Sequence, residues 1–173
     1  LDGSFWRAEI KPVQFKDSKR NTEQEVYLNE AITLLESFRQ NSKKLSEIFD
    51  LDQLSKLMAA KAIMGSIEFD WRDLKFYYNP LTKLLEPIGR EVHVDLNQSQ
   101  MNTWWADLSP ANFVHSSDQK YFLSLLFEDK LFFEKYLKDL SRMSNKNYVR
   151  RVIAKNGVEF NEYKEALNQN YPR

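Results

Sequence analysis

The most regular apolar pattern in the chain is Leu28, Ala31, Ile32, Leu35 and Phe38, spaced i, i+3, i+4, i+7 and i+10. Such spacing puts all five on one face of a helix of about five turns. Thr22 and Glu25 precede it as T-x-x-E, a capping box. Glu23, Glu25 and Glu30 sit in its N-terminal half, where acids suit the helix dipole and read as a solvated face. Residues 42–49 predict a short helix ending at Phe49. Asp50 or Asp52 then caps another, in which Leu54, Leu57, Met58, Ala62 and Ile63 leave little polar girth. A helix of that kind belongs in the middle of a domain, and Gly65 is a natural stop.

The next pattern has a period of two. Leu74–Asn79 and Leu84–Ile88 are rich in aromatic and branched residues and flank a turn-forming N-P-L-T-K, which predicts a β-hairpin. Phe76, Tyr77 and Tyr78 alternate faces, so one face of the hairpin is core. Upstream, residues 4–15 read as a short strand broken at Pro12, followed by a polar loop over 16–21. Residues 94–116 carry no period, although Trp104 and Trp105 argue that part of this stretch packs down. The remainder is helical. Ser117 or Asp118 caps a helix through Glu128, and Phe133, Tyr136, Leu137, Leu140 and Met143 stripe a second over 130–143. A third runs Tyr148–Lys155 and stops near Asn156-Gly157, and Phe160, Tyr163 and Leu167 stripe a fourth. The expected fold class is mainly α with a β-hairpin, α+β, in a single domain over 1–173. Within it 4–15 is a strand, 22–73 helical, 74–95 the hairpin and 117–170 helical. The chain opens at Leu1 rather than Met, so a fragment of a longer protein is expected.

Composition narrows the chemistry. The 173 residues are 42% hydrophobic and 14% aromatic, enough for a core and too much for wholesale disorder. Lys and Arg total 25, matched by 25 Asp and Glu. No basic excess marks a nucleic-acid binder. Cysteine is absent, which excludes disulfides, thiolate zinc sites and cysteine nucleophiles. No apolar run reaches the ~20 residues of a membrane span, so no membrane insertion by this segment is expected. With four glycines and two histidines, the chain holds no GxGxxG, P-loop, HExxH or GxSxG.

The order of helix, short acidic loop and aromatic hairpin, written DLDQLSKLMAAKAIMGSIEFDWRDLKFYYNPLTKLLEPIG, resembles the spore coat protein H (CotH) family, an atypical branch of the protein-kinase-like fold. LFEDKLFFEKYLKDLSRM is similar to a later helix of that family. The resemblance runs roughly from Trp6 to Met143 and implies the C-terminal lobe of a kinase-like fold, with the 4–15 strand near the hinge. It implies phosphoryl transfer from a nucleotide to a protein hydroxyl, with ATP and Mg or Mn as cofactors and a protein as substrate. An extracytoplasmic or cell-surface location is implied as well. Such chemistry needs a carboxylate near the acceptor hydroxyl, an Asn on one metal ion and an Asp on another.

Carried over residue by residue, Asp70 takes the place of the catalytic loop carboxylate. The Asn position falls on Lys75, which becomes the residue on the cofactor side, and a lysine there repels a metal ion. The metal-binding Asp position falls on Gly89, and the next acidic position on Glu91. Two outcomes are open. The site is degenerate, a pseudokinase-type nucleotide or metal binder, or Glu91 and Asp95 hold the metal with Asp70.

Other residues admit sharp and bland readings. E-V-H-V-D places Glu91, His93 and Asp95 on one strand face, a possible divalent-metal set or a polar face over inward Val92 and Val94. Lys11, in A-E-I-K, imitates a kinase lysine strand but follows no glycine-rich loop. His115 reads as a capping or surface residue. The alternative function is a non-catalytic protein-interaction module of a surface or envelope protein, with Trp104-Trp105 as its contact. A metal-dependent hydrolase needs more ligands than are found.

Overall fold

The computed structural model describes residues 9–12, 22–64, 74–89 and 117–170, without the side chains of 117–121, 160 and 170. These hold α1 (Thr22–Arg39), one 3-10 turn (Leu45–Glu47), α2 (Leu51–Met64), β1 (Lys75–Asn79), β2 (Leu84–Ile88), α3 (Ser117–Phe127), α4 (Lys130–Met143), α5 (Lys146–Lys155) and α6 (Gly157–Asn170). The protein is mostly helical with one two-stranded antiparallel hairpin, the α+β class that the patterns predict. Of the strand expected over 4–15, residues 9–12 are described and carry no regular structure. Gly65, Asp70, Glu91, His93, Asp95, Trp104, Trp105 and His115 lie outside the described residues.

The hydrophobic pattern explains most of the elements. Asp50, not Asp52, caps α2: its Oδ1 accepts from the backbone N–H groups of Asp52 and Gln53 at 3.0 Å each, satisfying donors that a helix start leaves open. Asp129 caps α4 through Phe132 N–H at 2.9 Å. Asn145 caps α5 through Asn147 N–H, so α5 begins at Lys146 rather than Tyr148. The helix expected over 42–49 is a single 3-10 turn, because residues 48–50 turn outward to meet the hairpin. Leu85 N–H donates to Ile48 C=O at 2.8 Å, and Asp50 N–H donates to Leu85 C=O at 3.0 Å, leaving Phe49 and Leu85 paired in parallel. In the hairpin, Lys75 pairs with Ile88 and Asn79 with Leu84. Asn79 Oδ1 accepts from Leu81 N–H at 2.9 Å in the turn. Lys83 closes that turn in the left-handed region at φ 58°, which costs a side-chain-bearing residue about 1 kcal/mol.

Helix α2 is the central element. Leu54, Ser55, Met58 and Ala59 are all at most 1% exposed, and α2 packs most extensively on α4. Two polar contacts fix that packing. Ser55 Oγ donates to Asp139 Oδ2 at 2.7 Å, and Asp139 Oδ1 also accepts from Arg142 at 2.8 Å. Nearer the start of both helices, Lys135 pairs with Asp52 and holds its carboxyl below the usual range. An aromatic chain ties the other elements on: Phe38 meets Phe49 at 5.2 Å and Phe122 at 5.8 Å, and Phe49 meets Phe76 at 5.1 Å. Phe127, Phe132 and Tyr136 continue it on the α3–α4 side.

Burial pushes the Tyr136 phenol up to about 12. Tyr78 is also pushed to about 12, first by burial and then by its hydrogen bond to Glu30. Both neutral phenols are favoured in the fold, so their contribution is full below pH 10 and is lost as pH rises towards 12. In an alkaline titration followed by tyrosinate absorbance, Tyr78→Phe and Tyr136→Phe should each delete one late-ionising group. Loss of an early-ionising group instead would contradict the assignment. Met58, wholly buried, should lose about 2–5 kcal/mol in Met58→Ala. Leu81→Ala, at 93% exposure, should stay within about 0.5 kcal/mol. Urea unfolding of both checks the assigned core.

Candidate pocket between helix α1 and the hairpin

The apolar stripe of α1 divides its duties. Phe38 enters the core, as does Leu34 beside the stripe, whereas Leu28, Ala31, Ile32 and Leu35 stay half-buried. These four, with Phe38, form one wall of a cavity of about 310 Å³. Phe49, Leu74, Phe76, Leu85 and Phe122 form the floor, and Glu9–Pro12 run along the opening. Its size is that of a small ligand pocket, largely apolar with a few polar groups.

Three basic residues belong to the lining: Lys11, Arg39 and Lys75, against one acid, Glu9. Arg39 is 7% exposed and donates to Glu36 Oε1 at 3.1 Å. A guanidinium so deep must keep hydrogen-bond partners. Lys11 forms an exposed ion pair with Glu9 at 3.0 Å. Lys75 is half-buried at the first residue of β1. Farther along β1, outside the lining, the Tyr78 hydroxyl donates to Glu30 and its ring lies 5.9 Å from that of Tyr27. These contacts clamp β1 against α1.

The hairpin register decides which of the sequence candidates meet. Lys75 pairs with Ile88, so Lys75 and Gly89 stand at the same open end of the hairpin. A β-carbon on Gly89 would meet Leu57 Cδ1 at 3.9 Å, ordinary van der Waals contact. Asp70, Glu91 and Asp95 lie outside the described residues. Among the described residues no group of three His, Asp or Glu is placed to hold a metal ion.

Arg39 and the four half-buried stripe residues are pocket residues that pattern reading missed. Their signal was present, because the stripe runs the length of α1, but a stripe does not say whether it faces core or cavity. A second hollow of about 590 Å³ beside the 3-10 turn is lined by Lys43, Lys44, Glu47, Glu128 and Asp129 among others, a mixed and open polar surface. No helix among the described residues is long and apolar enough to cross a membrane. No family model, curated protein or solved structure matches the chain.

Proposed function

We propose that the chain is a kinase-like domain of the degenerate kind, which binds a nucleotide in the α1–hairpin pocket and does not transfer its phosphate. The observation that carries this reading is the lining itself: apolar walls that suit a base, with Lys11, Arg39 and Lys75 among the lining residues, where a phosphate would compete with Glu9 for Lys11 and with Glu36 for Arg39. The kinase-like resemblance places residues 4–15 near the hinge, and Glu9–Pro12 do line this pocket. Transfer requires metal ions bridging the phosphates and a positioned carboxylate. Lys75 and Gly89 occupy two of the positions the family uses for metal, while a lysine ammonium neutralises phosphate directly. Nucleotide binding without a divalent ion follows from that exchange.

A second reading, a protein-interaction module, draws support from the exposed apolar residues of α5 and α6 and is compatible with the first.

The test is thermal unfolding with ATP, ADP or GTP, each with and without Mg²⁺ or Mn²⁺. Ligand at ~100 times its dissociation constant adds about 2.7 kcal/mol. The expected outcome is a stabilisation that needs no metal and weakens at least about tenfold in Lys75→Ala, since a charge-assisted hydrogen bond contributes about 1.5–3 kcal/mol. Ala31→Phe, which fills the cavity from its α1 wall, should abolish it while the circular dichroism stays unchanged. A shift that requires Mg²⁺ and is lost in Asp70→Ala would favour an active phosphotransferase instead. Absence of a shift with every nucleotide would overturn the reading.

A further inference from the structure

Helices α5 and α6 differ from the rest of the fold in having no core of their own. No α5 side chain is buried, and the described side chains of α6 are exposed apart from Gly157. Yet α5 carries a well-formed apolar face: Val149, Val152 and Ile153, at i, i+3 and i+4, are 43%, 42% and 52% exposed. Tyr148 extends it and is partly covered by Arg142, whose guanidinium lies 5.1 Å over the ring. On α6, Tyr163 and Leu167, at i and i+4, are 63% and 60% exposed, and Val158 is 77% exposed. A ten-residue helix is marginal by itself in water and takes its stability from packing an apolar face.

Charge says what fits there. Lys146 and Arg150 border one edge of the α5 face, and Arg151 and Lys155 border the other, with no acid anywhere in the helix. α6 has the opposite net charge, with Glu159, Glu162 and Glu165 against Lys164; Glu159 and Glu162 border one edge of its Tyr163–Leu167 face and Lys164 the other. Two successive helices, joined through Asn156 alone, therefore carry opposite net charge beside exposed apolar residues.

We propose that the successive helices α5 and α6 form a homodimer surface, on which α5 of one copy packs against α6 of a second copy. A two-fold axis satisfies both contacts at once, because the same surface supplies the basic and the acidic face. Apolar stripes meet in the centre and opposite charges at the rim, the usual anatomy of an interface. An anionic lipid surface would attract α5 as a basic amphipathic helix, but it would repel the three glutamates of the adjoining α6. An unrelated protein partner would need only one of the two faces. The surface is distinct from the α1–hairpin pocket, so the dimer stands or falls separately from nucleotide binding.

The experiment is sedimentation velocity of the chain from about 1 µM to about 100 µM at low and high salt. The expected result is a monomer–dimer equilibrium that weakens with salt. Ile153→Glu should abolish the dimer. Arg151→Glu and Glu162→Lys should each raise its dissociation constant at least tenfold, and the two in one chain should recover most of the loss. All three residues are exposed, so melting temperature and circular dichroism should not change at monomer concentration. If Ile153→Glu does lower the melting temperature, Val152→Lys supplies the same reading. A monomer throughout the range overturns the proposal, as does a dimer indifferent to Ile153→Glu or a double variant no better than the singles. Ile153-dependent capture of a monomer by phosphatidylserine vesicles also overturns it and assigns the face to lipid.

Discussion

Packing of α2 against α4 is the constraint from which the rest of the structure follows. Met58 and Ala59 are completely excluded from water, and at this dry interface Ser55 donates to Asp139. A carboxylate at such a boundary is costly unless its oxygens are paired, and Ser55 and Arg142 each take one. The hydrogen bond therefore acts on register more than on strength. Sliding α2 by one residue would separate Ser55 from Asp139 and Asp52 from Lys135 together. With that pair fixed, the 48–50 segment leaving the 3-10 turn is positioned to pair with Leu85. The hairpin is then docked on the core through Phe49 and Phe76.

The pocket is a consequence of how the hairpin docks. β1 reaches α1 through polar and aromatic contacts, Tyr78 to Glu30 and Tyr27, rather than through the whole apolar stripe. Phe38 at the C-terminal end of the stripe is drawn into the aromatic chain, and the earlier residues are left lining a cavity. Arg39, at the end of α1, also lines the cavity; it lies 7% exposed and keeps Glu36 as a partner. Basic side chains paired with acids, Lys11 with Glu9 and Arg39 with Glu36, thus stand in or beside the same cavity. An apolar hollow with basic groups has the chemical character of a site for an aromatic anion, and this links the fold to the proposed nucleotide.

At the other end of the molecule the balance differs. Beyond α4 the chain keeps making amphipathic helices, but they no longer reach the core. The chain is neutral as a whole, and this neutrality conceals a basic α5 beside an acidic α6. A global charge count suits questions about nucleic acid; it is blind to such a local dipole, which is what pairing between two copies would exploit.

Residue order alone determined part of the element list: the α1 stripe, the hairpin limits at Asn79 and Leu84, the extent of α4 and the breaks near Asp129 and Asn156, but not the 3-10 turn where a helix over 42–49 is expected. These are local matters of periodicity, turn chemistry and capping, where the deciding atoms lie within a few residues of one another. Tertiary structure alone decided the rest. Ser55 looks like any polar helix residue until Asp139, far along the chain, comes within hydrogen-bond reach. Arg39 reads as a helix-ending surface charge, yet it lies buried in the cavity lining. The α1 stripe reads as core, and the α5 stripe reads much the same, yet one walls a cavity and the other faces water. An apolar periodicity specifies a face; what covers that face depends on residues distant in sequence. The juxtaposition of Lys75 with Gly89 likewise required the hairpin register, whereas the placing of Asp70, Glu91 and Asp95 lies outside the described residues.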